Sequence, residues 1–149
     1  MYITYQFLLG FLAVLGFAYY LNVPMRAIPA CALGGAIGWV IFMYSSKYLD
    51  AGHIGILVGS IFIGLLGEYF SRKHRLPATV FLLAGIIPLV PGLNMYFMMY
   101  NVVMNNYDEA FKQGLNAAII SGAISIGLFL ASSAYSKVMR IRNKIRNEA

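Results

Sequence analysis

The chain has 149 residues, of which 60% are hydrophobic and only 11% are charged, and its net charge is +6. A water-soluble domain is usually about half apolar and about a quarter charged, so this composition excludes an ordinary soluble protein. Lipid is the environment that fits, and at about 20 residues for each helical span the length allows about five spans.

Five apolar segments follow one another along the chain, separated by short polar or proline-containing breaks. They are continuous and close to twenty residues long, whereas strands of a membrane barrel alternate apolar and polar residues over about ten positions. The sequence therefore predicts an all-α integral membrane protein with a single transmembrane domain over residues 1–149. The predicted spans are 3–21, 30–46, 52–70, 78–103 and 114–135, followed by a basic C-terminal tail, 136–149.

The first segment has neither a basic region before its apolar run nor a small-residue cleavage site. We therefore expect a retained span there rather than a signal peptide.

Small residues mark two faces of the third predicted span. One face carries Gly52, Gly55 and Gly59, and the other carries Ser60, Gly64 and Gly67. Such faces let helix backbones approach closely, so we expect this span to be central, with neighbours on both sides. The pattern fits a static packing surface as well as an interface that moves during transport.

Glu68 is the acidic residue that falls inside a predicted span. Intramembrane carboxylates commonly carry protons or bind cations, which makes Glu68 a candidate for proton coupling. It also lies one turn before Arg72 at the edge of the span, where an i,i+4 ion pair would give it a structural role. The sequence leaves both roles open.

The fourth segment is interrupted by Pro88, Pro91 and Gly92. Each proline removes a backbone hydrogen bond and crowds the carbonyl four residues earlier, and the glycine adds backbone freedom. About ten helical residues precede the break, or about 15 Å, which is half of a hydrocarbon core of about 30 Å. The sequence therefore predicts a broken helix near the membrane midplane, at residues 88–92.

A second half-helix that begins at Pro91 has Val90 as its N-cap, and valine has no capping oxygen. The N–H groups of Gly92, Leu93 and Asn94 then point, uncapped and partly positive, into the membrane centre, where a carboxylate can bind. Discontinuous helices of this kind hold substrates in secondary transporters, and a proline kink relieved by neighbouring helices is the alternative. Two polar residues further along are candidates to select the rest of the substrate: Tyr96 and Asn101.

Basic residues are distributed unevenly between the two sides of a five-span protein. Nine of the eleven Lys and Arg residues fall in the first loop, the third loop and the C-terminal tail, which share a side. The positive-inside rule then places the N-terminus outside and the C-terminus in the cytoplasm, in the cell membrane. Since these residues lie at span ends, we expect lipid headgroups rather than nucleic acid as their partners.

The stretch of residues 76–96, with Pro-Leu-Val-Pro-Gly at positions 88–92, resembles the threonine/serine exporter (ThrE) family, and in particular its small, separately encoded membrane subunits. The resemblance covers the whole chain, including its length, the five spans and the Asn-Val-Pro break at 22–24. It implies an exporter of small carboxylate metabolites, with threonine and serine for full-length members and dicarboxylates such as succinate for the split type. It also implies a partner, because full-length members have about ten spans and this chain supplies only the C-terminal five.

Two other functions compete with this interpretation. A non-transporting accessory or assembly subunit would explain the glycine faces and the basic tail, but not an uncapped half-helix in the membrane. An enzyme is not expected, because the sequence has no nucleophile–base pair, metal-ligand cluster or phosphate-binding loop, and no cofactor is expected either. A homo-oligomer is the alternative to a second membrane subunit.

Overall fold

The computed structural model describes residues 2–49 and 51–148, except for the side chains at 142, 143 and 145–148. The described chain is helical apart from short connections, which confirms the predicted all-α fold. Its helices are α1 (Tyr2–Tyr20), α2 (Ile28–Tyr48), α3 (Gly52–His74), α4 (Ala78–Ile86), α5 (Gly92–Val103) and α6 (Tyr107–Glu148), and a 3-10 turn, Ile87–Leu89, follows α4.

Three helices, α2, α3 and α6, extend beyond the apolar segments that predict them. α3 continues to His74 and ends where the Leu76 N–H donates to the Ser71 carbonyl at 3.0 Å, with Arg75 at a φ of 54°. This 6→1 hydrogen bond with a left-handed residue is the Schellman arrangement, which satisfies carbonyls at a helix end. α6 runs as one helix of 42 residues and continues through the predicted tail as far as Glu148. Hydropathy locates the part of a helix that contacts lipid, whereas the backbone ladder continues past it.

Close backbone contact joins α2 to α3. A Cβ atom on Gly59 would lie 2.8 Å from the Gly38 carbonyl oxygen, and one on Gly55 would lie 2.6 Å from the Ser45 Cβ. Since Gly38 meets Gly59 while the later Ser45 meets the earlier Gly55, the two helices are antiparallel. Glycine allows dispersion contacts between backbones that lipid does not supply.

The other face of α3 packs against α6. A Cβ atom on Gly127 would overlap the hydroxyl of the fully buried Ser60, and one on Gly64 would lie 2.5 Å from the Ala131 Cβ. The prediction that α3 is central, with neighbours on both sides, is therefore confirmed.

Gly67 belongs to a third contact of α3. A Cβ atom there would lie 2.7 Å from the Leu82 Cδ2 atom of α4, so this glycine faces α4 rather than α6.

The direction of α6 decides how the chain crosses between α3 and α6. Ser60 meets Gly127 and Gly64 meets Ala131, so α3 and α6 are parallel. Two parallel helices begin on the same side of a membrane, and the α4–α5 pair must therefore return the chain across it. A re-entrant loop would instead leave α6 antiparallel to α3.

The dimensions of the α4–α5 pair agree with a crossing. Its two halves are bent by 54°, so both continue in the same general direction. With a rise of 1.5 Å per α-helical residue and 2.0 Å per 3-10 residue, the pair reaches about 30 Å along the axis of α4. Within residues 2–49 and 51–148, four helices are long and apolar enough to span a membrane alone, and the bent pair makes the fifth span. The predicted five spans with a broken fourth are confirmed.

Candidate substrate site at the broken fourth span

The break itself is a short, hydrogen-bonded turn. Pro91 has φ −76° and ψ 49°, and the Gly92 N–H donates to the Val90 carbonyl at 2.8 Å. These values describe an inverse γ-turn centred on Pro91. The Val90 N–H in turn donates to the Ile87 carbonyl at 3.2 Å, which replaces the hydrogen bond that a residue other than proline would make at position 91.

The cap of the second half-helix differs from the predicted one. α5 begins at Gly92 and its N-cap is Pro91 rather than Val90, because the γ-turn delays the helix by one residue. No side chain caps this end, as expected. Since the Gly92 N–H is already bonded to Val90, the amides without an acceptor among the described residues are those of Leu93 and Asn94. Two of the three predicted N–H groups are therefore open.

A cavity of about 260 Å³ lies against the break. Its wall is mostly apolar, and Asn94 supplies the side-chain amide among the residues that line it. Trp39 directs its N–H away, since the indole Nε1 donates to the Gln6 Oε1 at 3.0 Å. The cavity is lined by Trp39, Phe42, Ile56, Pro88, Leu89, Val90, Pro91, Leu93, Asn94 and Ile120.

Side chains of α6 fix the orientation of the Asn94 amide. The Asn94 Nδ2 donates to the Gln113 Oε1 at 3.1 Å, and the Gln113 Nε2 donates to the Glu109 Oε1 at 3.1 Å. A carboxylate only accepts, so Glu109 sets the direction of both amides. Lys112 adds an ion pair to Glu109 at 3.4 Å. These hydrogen bonds connect the start of α5 to the start of α6. They leave the side-chain oxygen of Asn94 available to accept a hydrogen bond from a ligand.

The structure brings together some of the predicted site residues and separates others. Pro88, Pro91, Leu93 and Asn94 all line the cavity. Gly92 lies beside it, and a Cβ atom at that position would meet nothing within 4 Å in this chain.

Tyr96 and Asn101 lie away from this cavity. Tyr96 is 62% exposed and stacks on Tyr100, with ring centroids 6.4 Å apart. Asn101 donates from its amide to the Phe97 carbonyl of its own helix at 2.8 Å. Contact of either residue with substrate stays a prediction, and it requires a ligand or a partner on the exposed face of α5.

Glu68 contacts α6 rather than its neighbour on α3. The Ser132 hydroxyl donates to the Glu68 Oε1 at 3.1 Å. Arg72, the expected ion-pair partner, instead lies over the Tyr135 ring, 5.2 Å from its centroid. Among the described residues, Glu68 and Arg72 form no i,i+4 ion pair. The predicted structural role of Glu68, an ion pair with Arg72, is therefore not observed.

Residues 6–134 match the family model of the threonine/serine exporter, ThrE. The chain belongs to this exporter family. The match includes the broken span, the lining of the cavity and the Glu68–Ser132 contact, so the site described above lies within the part that defines the family. No solved structure matches the chain. Membership establishes a multi-pass membrane protein of a threonine/serine exporter family and agrees with the resemblance carried by residues 88–92.

Several residues of the site had no signal in the sequence. Trp39 and Phe42 lie within an apolar span, where the sequence does not distinguish them from other residues on the helix surface. Their rings, 5.5 Å apart, line the cavity at the break because α2 packs there. Gln113 lies one residue before the predicted fifth span, and its contact with Asn94 depends on the extension of α6 towards its N-terminus.

Proposed function

We propose that this chain is one membrane half of a secondary exporter of small carboxylate metabolites such as threonine, serine or succinate, and that it works with a second membrane subunit. The observation that carries the proposal is the pair of open backbone N–H groups, at Leu93 and Asn94, at the start of a half-helix within the membrane. A carboxylate accepts hydrogen bonds from such groups and is favoured by the positive end of the helix dipole.

The exposure of this site supports a partner. No residue of α5 is buried within this chain, and Leu93 is 70% exposed. An unpaired backbone N–H in hydrocarbon costs several kcal/mol, so irregular backbone at this depth occurs beside protein or water rather than lipid. A second subunit that covers α5 would close the half-open site and enclose the substrate between the two halves.

Asn94 supports a preference for amino acids over dicarboxylates. One of its two side-chain N–H groups donates to Gln113, and its side-chain oxygen accepts no hydrogen bond from the described residues, so this oxygen can contact a ligand. An oxygen acceptor next to two N–H donors is complementary to an α-amino acid, whose ammonium group donates while its carboxylate accepts. Succinate has no such donor.

Efflux of labelled serine, threonine and succinate tests the proposal in cells that express this chain alone and together with a second membrane subunit of the family. We expect efflux only from the pair. Efflux from this chain alone would indicate a homo-oligomer, and normal efflux from the partner alone would assign this chain an accessory role.

The substitution Asn94→Ala tests whether Asn94 contacts the ammonium group of an amino-acid substrate. We expect serine and threonine efflux to fall about tenfold, the effect of one lost hydrogen bond to a charged group at about 1.5 kcal/mol, while succinate efflux changes less. Asn116→Ala is the matched control, because Asn116 is exposed on α6 and does not line the cavity. An equal loss for all three substrates would contradict contact between Asn94 and the ammonium group.

A further inference from the structure

A second cavity lies at the opposite end of α3 from Gly52, where the basic residues of the third loop gather. Its volume is about 280 Å³, and it is formed by Tyr69, Arg72 and Lys73 of α3 together with Tyr135 and Met139 of α6. α3 ends at His74 whereas the parallel α6 continues, so the last turn of α3 and the exposed flank of α6 form two walls of a notch. The notch is at the membrane boundary and is separate from the broken span.

Positive charge exceeds negative charge at this notch within the described part of the chain. Glu68, one turn before Arg72, accepts its hydrogen bond from Ser132, and neither Arg72 nor Lys73 forms an ion pair with another described residue. The Glu68 carboxylate contributes up to one negative charge and the C-terminal end of α3 about half of one, which together are smaller than the two full charges of Arg72 and Lys73. The notch therefore has a net attraction for an anion.

The geometry also positions one of these charges. The Arg72 guanidinium carbon lies 5.2 Å from the centre of the Tyr135 ring, within the range of a cation–π contact. A guanidinium held on a ring face keeps its N–H edges free for bidentate hydrogen bonds to phosphate oxygens. Met139 and the ring of Tyr69, which is 53% exposed, add an apolar wall beside the charges.

We propose that this notch binds the phosphate group of an anionic phospholipid. Phosphate is the shared chemistry of a lipid headgroup and of a soluble phosphate, and the location favours the lipid. Basic pockets between membrane helices on the positive side bind anionic headgroups. The methionine and tyrosine wall would contact the glycerol and the upper acyl chain, for which soluble phosphate has no counterpart.

Native mass spectrometry of the full-length protein in detergent tests this proposal. The protein is titrated separately with phosphatidylglycerol, with zwitterionic phosphatidylcholine and with inorganic phosphate. We expect a saturable one-to-one complex with phosphatidylglycerol only. Equal binding of phosphatidylcholine, or binding of inorganic phosphate at similar concentrations, would overturn the lipid assignment.

Paired variants locate the binding site. Arg72→Gln with Lys73→Gln should weaken phosphatidylglycerol binding about thirtyfold, from roughly fivefold for each lost charge. The matched control is Arg26→Gln with Lys137→Gln, which removes two exposed charges from the same end of the molecule and outside the notch. An equal loss in the control would overturn the proposal in favour of a diffuse charge effect.

Tyr135 distinguishes loss of the site from loss of the fold. Tyr135→Phe retains the ring under Arg72 and should keep phosphatidylglycerol binding, whereas Tyr135→Leu should weaken it although both variants keep an apolar side chain. Retained binding in Tyr135→Leu, with lost binding in the charge variant, would show that Arg72 acts without the ring and would overturn the positioning role.

Discussion

Gly127 is the residue at which the packing of two spans leaves least room. An added methyl group would overlap the Ser60 hydroxyl and lie 2.8 Å from the Leu57 carbonyl oxygen, and Ser60 is fully buried. The carbonyl is backbone and cannot rotate away, so α3 and α6 must separate. We expect Gly127→Ala to destabilise the protein by about 1–3 kcal/mol, the usual effect of overpacking.

The control for this substitution lies on the same helix. Gly122 has nothing within 4 Å of an added Cβ atom, so Gly122→Ala should leave stability unchanged or slightly higher. Thermal unfolding of both variants in detergent measures the difference. Equal midpoints for Gly127→Ala, Gly122→Ala and the unchanged chain would contradict the close approach of α3 and α6.

At the break in the fourth span, the sequence predicts some features of single residues and not others. Pro88, Pro91 and Gly92 locate the break, because proline cannot continue a helical ladder whatever surrounds it. The identity of the N-cap depends instead on the ψ of Pro91, which proline leaves free, and the value of 49° moves the cap from Val90 to Pro91. The backbone donors at Leu93 and Asn94 were predictable, and the partner that holds the Asn94 side chain was not.

At the scale of the element, the broken span joins a half that packs within this chain to a half that is exposed. Ala84 of α4 is fully buried, and Leu89, at the end of the 3-10 turn, is 4% exposed, whereas α5 has no buried residue. A straightened helix would carry the N–H groups of Leu93 and Asn94 into the ordinary ladder and remove both donors. Replacement of both Pro91 and Gly92 by alanine should therefore abolish export while the protein remains in the membrane.

The proline control for this experiment is Pro29. It lies in the first turn of α2, where a missing N–H has no consequence for the helix, so Pro29→Ala should retain export. Efflux normalised to the amount of protein in isolated membranes is the measurement. Unchanged export in the Pro91 and Gly92 double variant would remove the broken span from the substrate path.

The hydrogen bond from Ser132 to Glu68 allows a proton-coupling role of Glu68 to be tested separately from a packing role. Glu68→Gln keeps an oxygen acceptor for the Ser132 hydroxyl but removes the titratable group, whereas Ser132→Ala removes the hydrogen bond and keeps the carboxylate. We propose that Glu68 couples export to protons, and we expect Glu68→Gln to lose the dependence of efflux on the proton gradient at normal abundance.

Ser132→Ala provides the comparison for this test. It should keep the dependence on the gradient and lower stability by about 1 kcal/mol at most, the usual effect of one interhelical hydrogen bond in a membrane. Gradient-dependent efflux that survives Glu68→Gln would limit Glu68 to packing.

The Glu68 contact also shows that residue spacing within one helix does not predict contacts between helices. The i,i+4 spacing to Arg72 predicts an ion pair, but the observed partner is 64 residues away in sequence. The parallel packing of α3 and α6 brings Ser132 to Glu68 and Tyr135 to Arg72, and no local periodicity encodes that registry. The five spans were predictable because hydropathy is local, while the pairing of their polar residues was not.

At the scale of the whole molecule, α6 is longer than the membrane is thick. Its 42 residues reach about 63 Å at 1.5 Å each, against a hydrocarbon core of about 30 Å. A helix of this length extends beyond the core, and charged residues lie towards both of its ends. The first turn carries Asp108 and Glu109, and the far end continues from Tyr135 into the basic tail, so α6 alone has the charge asymmetry of the entire chain.

The five-span fold places all the basic-rich segments at one end. Because α3 and α6 are parallel, the third loop and the C-terminal part of α6 share a side, and the antiparallel α1–α2 pair places the first loop there too. We propose that this side is cytoplasmic, since Lys and Arg near span ends are retained on that side. The N-terminus and the α5–α6 connection would then face outwards.

Single cysteines can test this orientation, because the chain has one native cysteine, Cys31, which is only 1% exposed. In a Cys31→Ala background, Asn106→Cys introduces a thiol between α5 and α6, and Lys137→Cys introduces one on the basic side; both native residues are exposed. A membrane-impermeant maleimide should label position 106 in intact cells or spheroplasts and position 137 only after permeabilisation. The reverse pattern would place the basic end outside. Labelling of both positions in intact cells would mean that the chain inserts in both directions. Charge would then not set the orientation of the chain, and two copies could supply the two inverted halves of the transporter.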